Sequence, residues 1–450
     1  MLITIKIFAF LFAIFPLVLI HEFGHFFVAR LCGVRILKFS IGFGKALMKW
    51  RDKKGTSYVL SAIPLGGYVK MLDTREIKAS LHDYPFAFDH HPAWQRFLII
   101  VAGPVNNLLF ALVIFSLMFV IGIKVPKPII GKIEPNSIAS RAHLVQGQEI
   151  TAVSGKKVLD WQEVVFAIFP AIGEDGNLIF TAKKQGQENK YVLDLTSWQL
   201  DPFQPDPLKS LGIIPYHPSL PPVIAKIKNN SPAAKFGLRL QDRIQSVNRK
   251  RVLDWDDFIT QVQEYPNQKI DLVVLRDGKV ESLNVVTSWK YDIGWKKVGY
   301  LGVGSLPVKW PDDMLLDRNY SVAQSFYYAG KQAWMILAFN GISFAKLLTG
   351  KISFHVLGGP ITIFQSAATA INAGIVVYFG FLALLSIMLA FVNFLPIPGL
   401  DGGHVLFIGI ESLLRRPISM RVQALILRFG LILLILIMVQ ATINDVMRMF

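Results

Sequence analysis

The sequence predicts a polytopic α-helical membrane protein with four transmembrane helices, two tandem α+β domains and a membrane-associated β-hairpin. Hydrophobic residues make up 52% of the 450 residues and charged residues only 17%, whereas about 25% charged residues is usual for a soluble domain. Four segments are apolar over about 20 residues, the length of a helix that crosses a bilayer. A long middle segment repeats itself. This composition argues against a soluble, disordered or fibrous protein.

The excess of basic residues indicates contact with a membrane surface. The 47 Lys and Arg residues outnumber the 31 Asp and Glu residues by 16, and such an excess attracts either nucleic acid or anionic lipid. The apolar composition favours lipid, so we expect membrane lipid and no nucleic acid among the partners. The single cysteine, Cys32, excludes an internal disulfide framework and a cysteine-based metal cluster.

Four apolar segments are expected to span the membrane, at residues 1–30, 96–124, 371–396 and 422–445. The first could be a secretory signal peptide, because Lys6 precedes an apolar stretch. However, no small-x-small cleavage site follows, and the polar His21 and Glu22 come directly after the apolar run. We therefore expect this segment to be retained as a membrane helix.

The charge distribution predicts the orientation of the spans. From Arg30 to Arg96 there are 12 Lys and Arg residues against five Asp and Glu residues, so residues 31–95 are expected in the cytoplasm. The segment 125–370 then lies outside, and the loop 397–421 lies inside. The cytoplasmic ends of the first and third spans are thus on one side, where residues near each end can meet.

The segment 310–370 decides whether this topology holds. Its apolar run is short and is interrupted by polar residues such as Lys331 and Lys346. We expect an amphipathic segment on the outer membrane face. If it crossed the membrane instead, Asp401 would lie on the opposite side from His21.

The outer segment repeats itself at a constant offset of 94 residues. The matching stretches are Asn-Ser-Ile-Ala at 136–139 with Asn-Ser-Pro-Ala at 230–233, and Val-Leu-Asp-Trp at 158–161 with the same four residues at 252–255. This indicates duplicated α+β domains at 125–221 and 222–309. The pattern N-S-P-A-A-x-x-G-L-x-x-x-D-x-I-x-x-V-N in the second copy resembles PDZ domains of bacterial proteases. The resemblance implies peptide binding at a sheet edge, while steric filtering and simple packing remain alternatives.

The chemical motif of the chain is His21-Glu22-Phe23-Gly24-His25, which has the form H-E-x-x-H. On a helix four residues turn about 400°, so both imidazoles project from one face and can bind one metal ion. Glu22 lies beside them, where it can deprotonate a water molecule. Zn²⁺ is the natural candidate, because it lowers the pKa of bound water to about 7. The alternative is a polar cap that merely ends the helix.

A catalytic zinc site with three protein ligands needs one ligand more than these two histidines. Asp401, His404 and Glu411 are candidates on the same predicted side. Asp401 lies within Asn-Phe-Leu-Pro-Ile-Pro-Gly-Leu-Asp-Gly-Gly-His at 393–404, directly after the third span. The two prolines are expected to unwind the helix end, and the glycines permit close approach of the backbone to a neighbour.

A hairpin is predicted over residues 58–71, where two β-rich runs flank Pro-Leu-Gly-Gly at 64–67. The hairpin is apolar but follows a charged cluster, so we expect it to dip toward the membrane beside the metal. Unpaired backbone cannot face lipid, so its edge must be covered by protein, water or an incoming strand. A substrate helix unwound into a strand would fit this edge, which makes Gly66 and Gly67 candidates for substrate binding. The alternative is a cytoplasmic hairpin unrelated to substrate.

Three motifs together are similar to those of the site-2 protease family of intramembrane zinc metalloproteases. They are H-E-x-x-H in the first span, G-P-x-x-N at 103–107 in the second, and N-x-x-P-x-P-x-L-D-G at 393–402 after the third. The similarity extends over essentially the whole chain. It implies Zn²⁺ as the cofactor, with His21, His25 and Asp401 as ligands and Glu22 as the general base.

The same resemblance implies further roles in the second and third spans. It makes Asn393 a substrate-binding residue close to the metal, and it makes Asn107 a polar support of the substrate-binding region. The alternative for Asn107 is an interhelical hydrogen bond without further function. His404 is then a loop histidine rather than a ligand.

The function implied by the resemblance is regulated intramembrane proteolysis in the bacterial inner membrane. The substrates are expected to be single-pass membrane proteins, such as an anti-sigma factor after a first cleavage outside. The active site faces the cytoplasmic side, and the PDZ-like domains are periplasmic. Two rivals are a membrane scaffold whose metal is structural and a metal transporter. Candidate ligands on only one side of the membrane argue against a transporter.

Overall fold

The computed structural model describes residues 2–75, 80–196, 198–201, 206–291, 297–306 and 310–448. The chain forms two compact units. The first, here called the helical unit, extends to Lys124 and continues from Asp317 to Asp445. The second, here called the middle unit, is essentially Val125–Leu316.

The helices follow the chain in both units. They are α1 (Leu2–Leu31), α2 (Ala93–Ile121), α3 (Ile138–Arg141), α4 (Trp161–Ile168), α5 (Pro207–Ser210), α6 (Pro232–Lys235), α7 (Trp255–Gln263), α8 (Val322–Leu348), α9 (Pro360–Ala373), α10 (Ile375–Phe394), α11 (Asp401–Leu414) and α12 (Met420–Met447). Short 3-10 helices lie at Leu81–Phe86, Phe88–His90, Phe169–Ala171, Asp312–Met314 and Phe354–Val356.

The strands fall mainly in the middle unit. They are β1 (Ile36–Arg51), β2 (Ser57–Met71), β3 (Ile123–Pro126), β4 (Ile130–Ile133), β5 (Glu149–Val153), β6 (Lys156–Lys157), β7 (Asn177–Lys184), β8 (Gln187–Asp194), β9 (Ile213–Pro215), β10 (Lys226–Ile227), β11 (Arg243–Val247), β12 (Lys250–Arg251), β13 (Lys269–Arg276), β14 (Lys279–Val286), β15 (Ser288–Tyr291), β16 (Lys297–Tyr300), β17 (Val303–Gly304) and β18 (Leu315–Arg318).

Four helices of the described residues are long and apolar enough to cross a membrane. They are Phe10–Leu31 within α1, then α2, α10 and α12, in agreement with the four predicted spans. The third span starts later than residue 371, because Gly374 has φ 121° and separates α9 from α10. This conformation suits glycine, which lacks the Cβ that would clash.

The segment predicted as one outer-face amphipathic region contains two helices. The 27-residue α8 packs against α2 and α10, and it is not among the four candidate spans. The shorter α9 packs on α1, where Phe364 lies edge-on to Phe10 with ring centroids 5.7 Å apart. The sequence did not predict this contact. It makes α9 part of the core that supports α1.

The predicted reversal at residues 64–67 is present, but the two runs beside it do not pair with each other. Residues 38–41 of β1 lie between them, parallel to residues 57–60 and antiparallel to residues 67–70, so β2 changes direction between residues 60 and 67. A second turn, at residues 52–56, joins β1 to β2. Asp52 stabilises this turn because its Oδ1 accepts hydrogen bonds from the backbone N–H groups of Lys54 and Thr56. Side-chain capping of this kind favours a turn, and this second turn was not predicted from the sequence.

The middle unit contains two equivalent α+β modules. The four-stranded sheets have the orders β6-β5-β7-β8 and β12-β11-β13-β14. The repeated residues of the sequence are helix caps: Asp160 accepts a hydrogen bond from Glu163 N, and Asp254 accepts one from Asp257 N. Such caps compensate the unpaired N–H groups of a helix start. The repeated architecture agrees with the predicted duplication.

Candidate metal centre

Helix α1 places the H-E-x-x-H residues on the side that packs against α2. His21, Glu22 and His25 are only 8%, 8% and 7% exposed. Asn106 in α2 joins the two helices, because its Nδ2 donates to the backbone carbonyl of Ile20 at 2.6 Å. Buried ionisable groups are costly unless they are paired or bind a metal. The position of the motif therefore indicates a chemical site rather than a polar helix end.

A backbone carbonyl of α2 orients His25. Nδ1 of His25 lies 2.8 Å from the carbonyl oxygen of Ile99. Because a carbonyl can only accept, Nδ1 carries the proton and Nε2 keeps its lone pair. That Nε2 lies 3.2 Å from Nε2 of His21. Two imidazole nitrogens this close together on one helix face are typical of a shared metal site.

Asp401 completes the group from the first residue of α11. Its Oδ2 lies 3.2 Å from Nε2 of His21 and 3.5 Å from Nε2 of His25. This oxygen is buried and has no hydrogen-bond partner among the described residues. A buried carboxylate oxygen without a partner is unfavourable unless a cation binds it.

The triangle of ligand atoms fits a zinc ion. Its three sides are 3.2 Å, 3.2 Å and 3.5 Å. Ligands held at about 2.0–2.1 Å in a tetrahedral zinc site lie about 3.3 Å from one another. Among the described residues, the ligand atoms that converge in this way belong to His21, His25 and Asp401. The geometry thus favours Asp401 over the other two candidates for the third position.

Those other candidates have different surroundings. Glu411 accepts a hydrogen bond from Nη1 of Arg96 at 2.8 Å, and Arg75 lies 3.7 Å from its other oxygen. His404 is exposed on α11, with its ring near that of Phe407. Glu411 is therefore committed to an ion pair, and His404 lies outside the converging group.

Gly103 of α2 packs against both imidazoles, and this contact was not predicted from the sequence. A Cβ at this residue would lie 2.2 Å from Nε2 of His25 and 2.9 Å from Cε1 of His21. The two imidazoles thus occupy the space that a side chain would need. A glycine followed by a proline inside an uncharged span was the available signal, since both residues are poor helix formers.

Replacing Gly103 by Ala is expected to weaken metal binding at least tenfold. The added methyl group would displace His25, whose ring cannot shift freely because Ile99 holds its Nδ1. Mutation of the residues that orient metal ligands typically lowers metal affinity 10–100-fold. Zinc titration of the purified protein measures this. Gly409→Ala is the matched control, because Gly409 lies in α11 with open space around its Cβ position. Equal affinities of the two variants would contradict the prediction.

The β1–β2 sheet approaches the site through Gly67. A Cβ at Gly67 would lie 2.8 Å from Cγ of Glu22 and 2.7 Å from the carbonyl oxygen of Ser40. The adjacent Gly66 has φ 120° and lies against the ring of Phe43. The structure thus brings the glycine pair of the predicted turn to the edge of the candidate metal centre.

The two predicted asparagines lie on the facing helices α2 and α10. Nδ2 of Asn107 lies 3.4 Å from Nδ1 of His21, and Oδ1 of Asn107 has no partner among the described residues. Oγ of Ser386 donates to the backbone carbonyl of Asn107 at 2.8 Å, which joins α10 to α2. Asn393 is buried in the last turn of α10. Asn107 therefore contacts the candidate metal ligands directly.

Comparison with known proteins agrees with this chemistry. The profile of Peptidase family M50 matches residues 9–437. The chain is 40% identical over 443 residues to "Protease RseP" of Yersinia pestis, and 39% identical over 442 residues to "Regulator of sigma-E protease RseP" of Escherichia coli (strain K12). It is 36% identical over 443 residues to "Putative zinc metalloprotease" of Vibrio cholerae.

Each of these alignments covers 98% of this chain and 98% of the relative. The similarity is therefore not confined to the metal-binding motifs. The predicted resemblance to site-2 proteases is confirmed, and so is the prediction of a protease. This membrane protein belongs to peptidase family M50.

Proposed function

We propose that this protein is an intramembrane zinc endopeptidase that cleaves transmembrane segments of single-pass membrane proteins. The observation that carries the proposal is the buried triangle of His21, His25 and Asp401. Two of its members lie within Phe10–Leu31, a helix apolar enough to cross a membrane. A hydrolytic centre within such a helix acts on a peptide bond that reaches the same depth.

The cofactor is Zn²⁺, and His21, His25 and Asp401 would hold it. Two imidazoles and one carboxylate form a donor set that is common in catalytic zinc sites. When bound, Zn²⁺ polarises the scissile carbonyl and makes water acidic enough to react near neutral pH. Asn107 would position the His21 ring, because its Nδ2 lies 3.4 Å from Nδ1 of that ring, and such outer contacts orient the ligands of a metal.

Glu22 is the proposed general base. Glu22 directly follows His21 in α1, and the residue is 8% exposed. It accepts the proton of the attacking water and donates it to the leaving amine. Gly67 supports this role because its missing side chain leaves room for the Glu22 side chain.

Substrate is proposed to bind along the β2 edge that includes Gly66 and Gly67. Gly67 pairs with Ile41 and Tyr68 pairs with Ser40, so this part of β2 has β1 on one side. A substrate segment in extended form can add to the other side through backbone hydrogen bonds. This binding unwinds the substrate helix and exposes its peptide bond to Glu22. Asn393 is proposed to contact the bound segment from the end of α10.

The biological setting is proposed from the relatives. The relative from Escherichia coli is named as a regulator of sigma-E, which suggests an anti-sigma factor as substrate after a first cleavage outside the membrane. We place the protein in the bacterial inner membrane, with the metal centre toward the cytoplasm and the PDZ-like modules in the periplasm. These modules act as a filter against large outer domains or as peptide binders.

Purified protein is expected to cut a single-pass test substrate within its transmembrane segment. Removal of the metal by a chelator should stop cleavage, because the ligand triangle then lacks its cation, and Zn²⁺ should restore it. Mass spectrometry of the products identifies the bond. Cleavage outside the transmembrane segment, or full activity after metal removal, would contradict the proposal.

The same assay tests the filter. One transmembrane sequence carries either a short outer tail or a folded outer domain, and only the short form should be cut efficiently. Equal rates for the two substrates would leave peptide binding or packing as the role of the modules, without affecting the assignment of the metal centre.

A further inference from the structure

The C-terminal part of β1 and the turn after it carry an exposed basic rim, defined here as Lys45, Lys49, Arg51, Lys53 and Lys54. All five side chains are exposed, and none has a carboxylate partner among the described residues. The only acid between residues 45 and 54 is Asp52, which pairs with Arg30. The hydrogen bond from Arg30 holds the pKa of Asp52 below its ordinary value. The rim therefore retains its positive charge for an external anion.

Part of this rim lines a surface pocket with a defined set of groups. The lining residues are Leu37, Lys49, Trp50, Arg51, Gly55 and Ser57. Trp50 is fixed there by stacking on Tyr58, with ring centroids 5.4 Å apart and planes 9° apart. A guanidinium, an ammonium and a hydroxyl are the donors that bind a phosphate. An indole beside them is typical of the membrane–water interface, where Trp is enriched.

The contact between α1 and the turn at residues 52–56 gives the depth of this pocket in the membrane. Nη2 of Arg30 donates to Oγ1 of Thr56 at 3.0 Å and pairs with Asp52. Arg30 lies in the last turn of the candidate span Phe10–Leu31. The turn is therefore anchored at the end of the hydrophobic helix, and lipid headgroups lie at this level.

The exposed apolar residues of β1 are consistent with this depth in the membrane. Phe43 contacts Gly66, which adjoins the metal centre, and it is 45% exposed. Leu47 and Met48 come next and are 65% and 59% exposed. Apart from Lys45, which lies between Phe43 and Leu47, the strand thus runs from an apolar stretch near the catalytic depth to a charged end at the level of Arg30. This gradient matches a strand that faces lipid tails first and headgroups last.

We propose that the pocket of Lys49, Trp50, Arg51 and Ser57 binds the phosphate headgroup of an anionic phospholipid. The bound lipid anchors the C-terminal part of β1 to the membrane surface. Charge complementarity, the Trp side chain and the anchored depth all favour a lipid over a soluble anion. This binding is independent of the proposed proteolysis, because it involves no residue of the metal centre.

The test uses the full-length protein in phosphatidylcholine nanodiscs that contain increasing fractions of brominated phosphatidylglycerol. Bromine quenches nearby Trp fluorescence, and the signal of Trp50 is the difference between the parent and Trp50→Phe. We expect this signal to be quenched at a low fraction of brominated phosphatidylglycerol and much less by brominated phosphatidylcholine. Equal quenching by both lipids, or by neither, would overturn the proposal.

Two double variants separate the pocket from general surface charge. Lys49→Gln with Arg51→Gln should raise the phosphatidylglycerol fraction for half-quenching about 30-fold, because each basic residue near an anionic surface contributes about 1 kcal/mol. Lys53→Gln with Lys54→Gln removes the same charge from the same turn but lies outside the pocket, and it should have a small effect. Equal effects of the two variants would show diffuse attraction and refute a headgroup site. Competition by inorganic phosphate would likewise refute it in favour of a free-anion site. The comparison of the parent with Trp50→Phe tests lipid selectivity even if a double variant fails to fold.

Discussion

Glu22→Gln is expected to abolish cleavage while the protein keeps its fold and most of its bound zinc. Gln has nearly the same shape as Glu, so the buried position between α1 and Gly67 remains filled. It cannot accept a proton from water, whereas His21 and His25 still present their lone pairs. Loss of a general base typically lowers the rate 10²–10⁴-fold. The measurements are cleavage of a single-pass substrate and zinc content of the same preparation.

The control for this variant is Glu264→Gln, at a half-exposed carboxylate of the middle unit. It makes the same chemical change far along the chain from the motif and should leave activity unchanged. If Glu22→Gln retained activity within about tenfold of the parent, Glu22 would not be the general base. Loss of zinc together with activity would instead assign Glu22 a role in metal binding.

Asp401→Ala is expected to lower zinc affinity by more than about 100-fold and to abolish activity. The change removes one corner of the ligand triangle, whose Oδ2 lies 3.2 Å and 3.5 Å from the two imidazole nitrogens. Loss of outer-shell contacts alone typically costs 10–100-fold in metal affinity, so loss of a ligand should cost more. The measurements are zinc affinity by competition with a chromogenic chelator and cleavage at saturating zinc.

His404→Ala is the matched comparison, because His404 lies one helical turn further along α11 and is exposed. Its loss should change zinc affinity little. A larger effect of His404→Ala than of Asp401→Ala would make His404 the third ligand. Equal and complete loss in both variants, together with loss of folded protein, would show that α11 is sensitive to any substitution.

Local patterns of the sequence were sufficient for the membrane helices and for the first two ligands. The apolar length of a span and the spacing of His21 and His25 are properties of one helix, because a bilayer needs about 20 apolar residues and a helical turn brings residues four apart together. The duplicated caps Asp160 and Asp254 are equally local. The family motifs then indicated Asp401 from residues far apart in the chain.

Only the tertiary structure decided how distant segments meet at the metal. Without the family resemblance, the sequence did not decide whether Asp401, His404 or Glu411 is the third ligand. Glu411 is excluded by its ion pair with Arg96, a residue 315 positions away in the chain. The space that Gly103 leaves for His25 is likewise a property of two packed helices. The additional turn at residues 52–56 depends on Asp52, whose side chain bonds to backbone groups and to Arg30 of α1. Such contacts are long-range, so composition and spacing along one segment do not reveal them, whereas helix periodicity and apolar length act within a few turns and can be read directly.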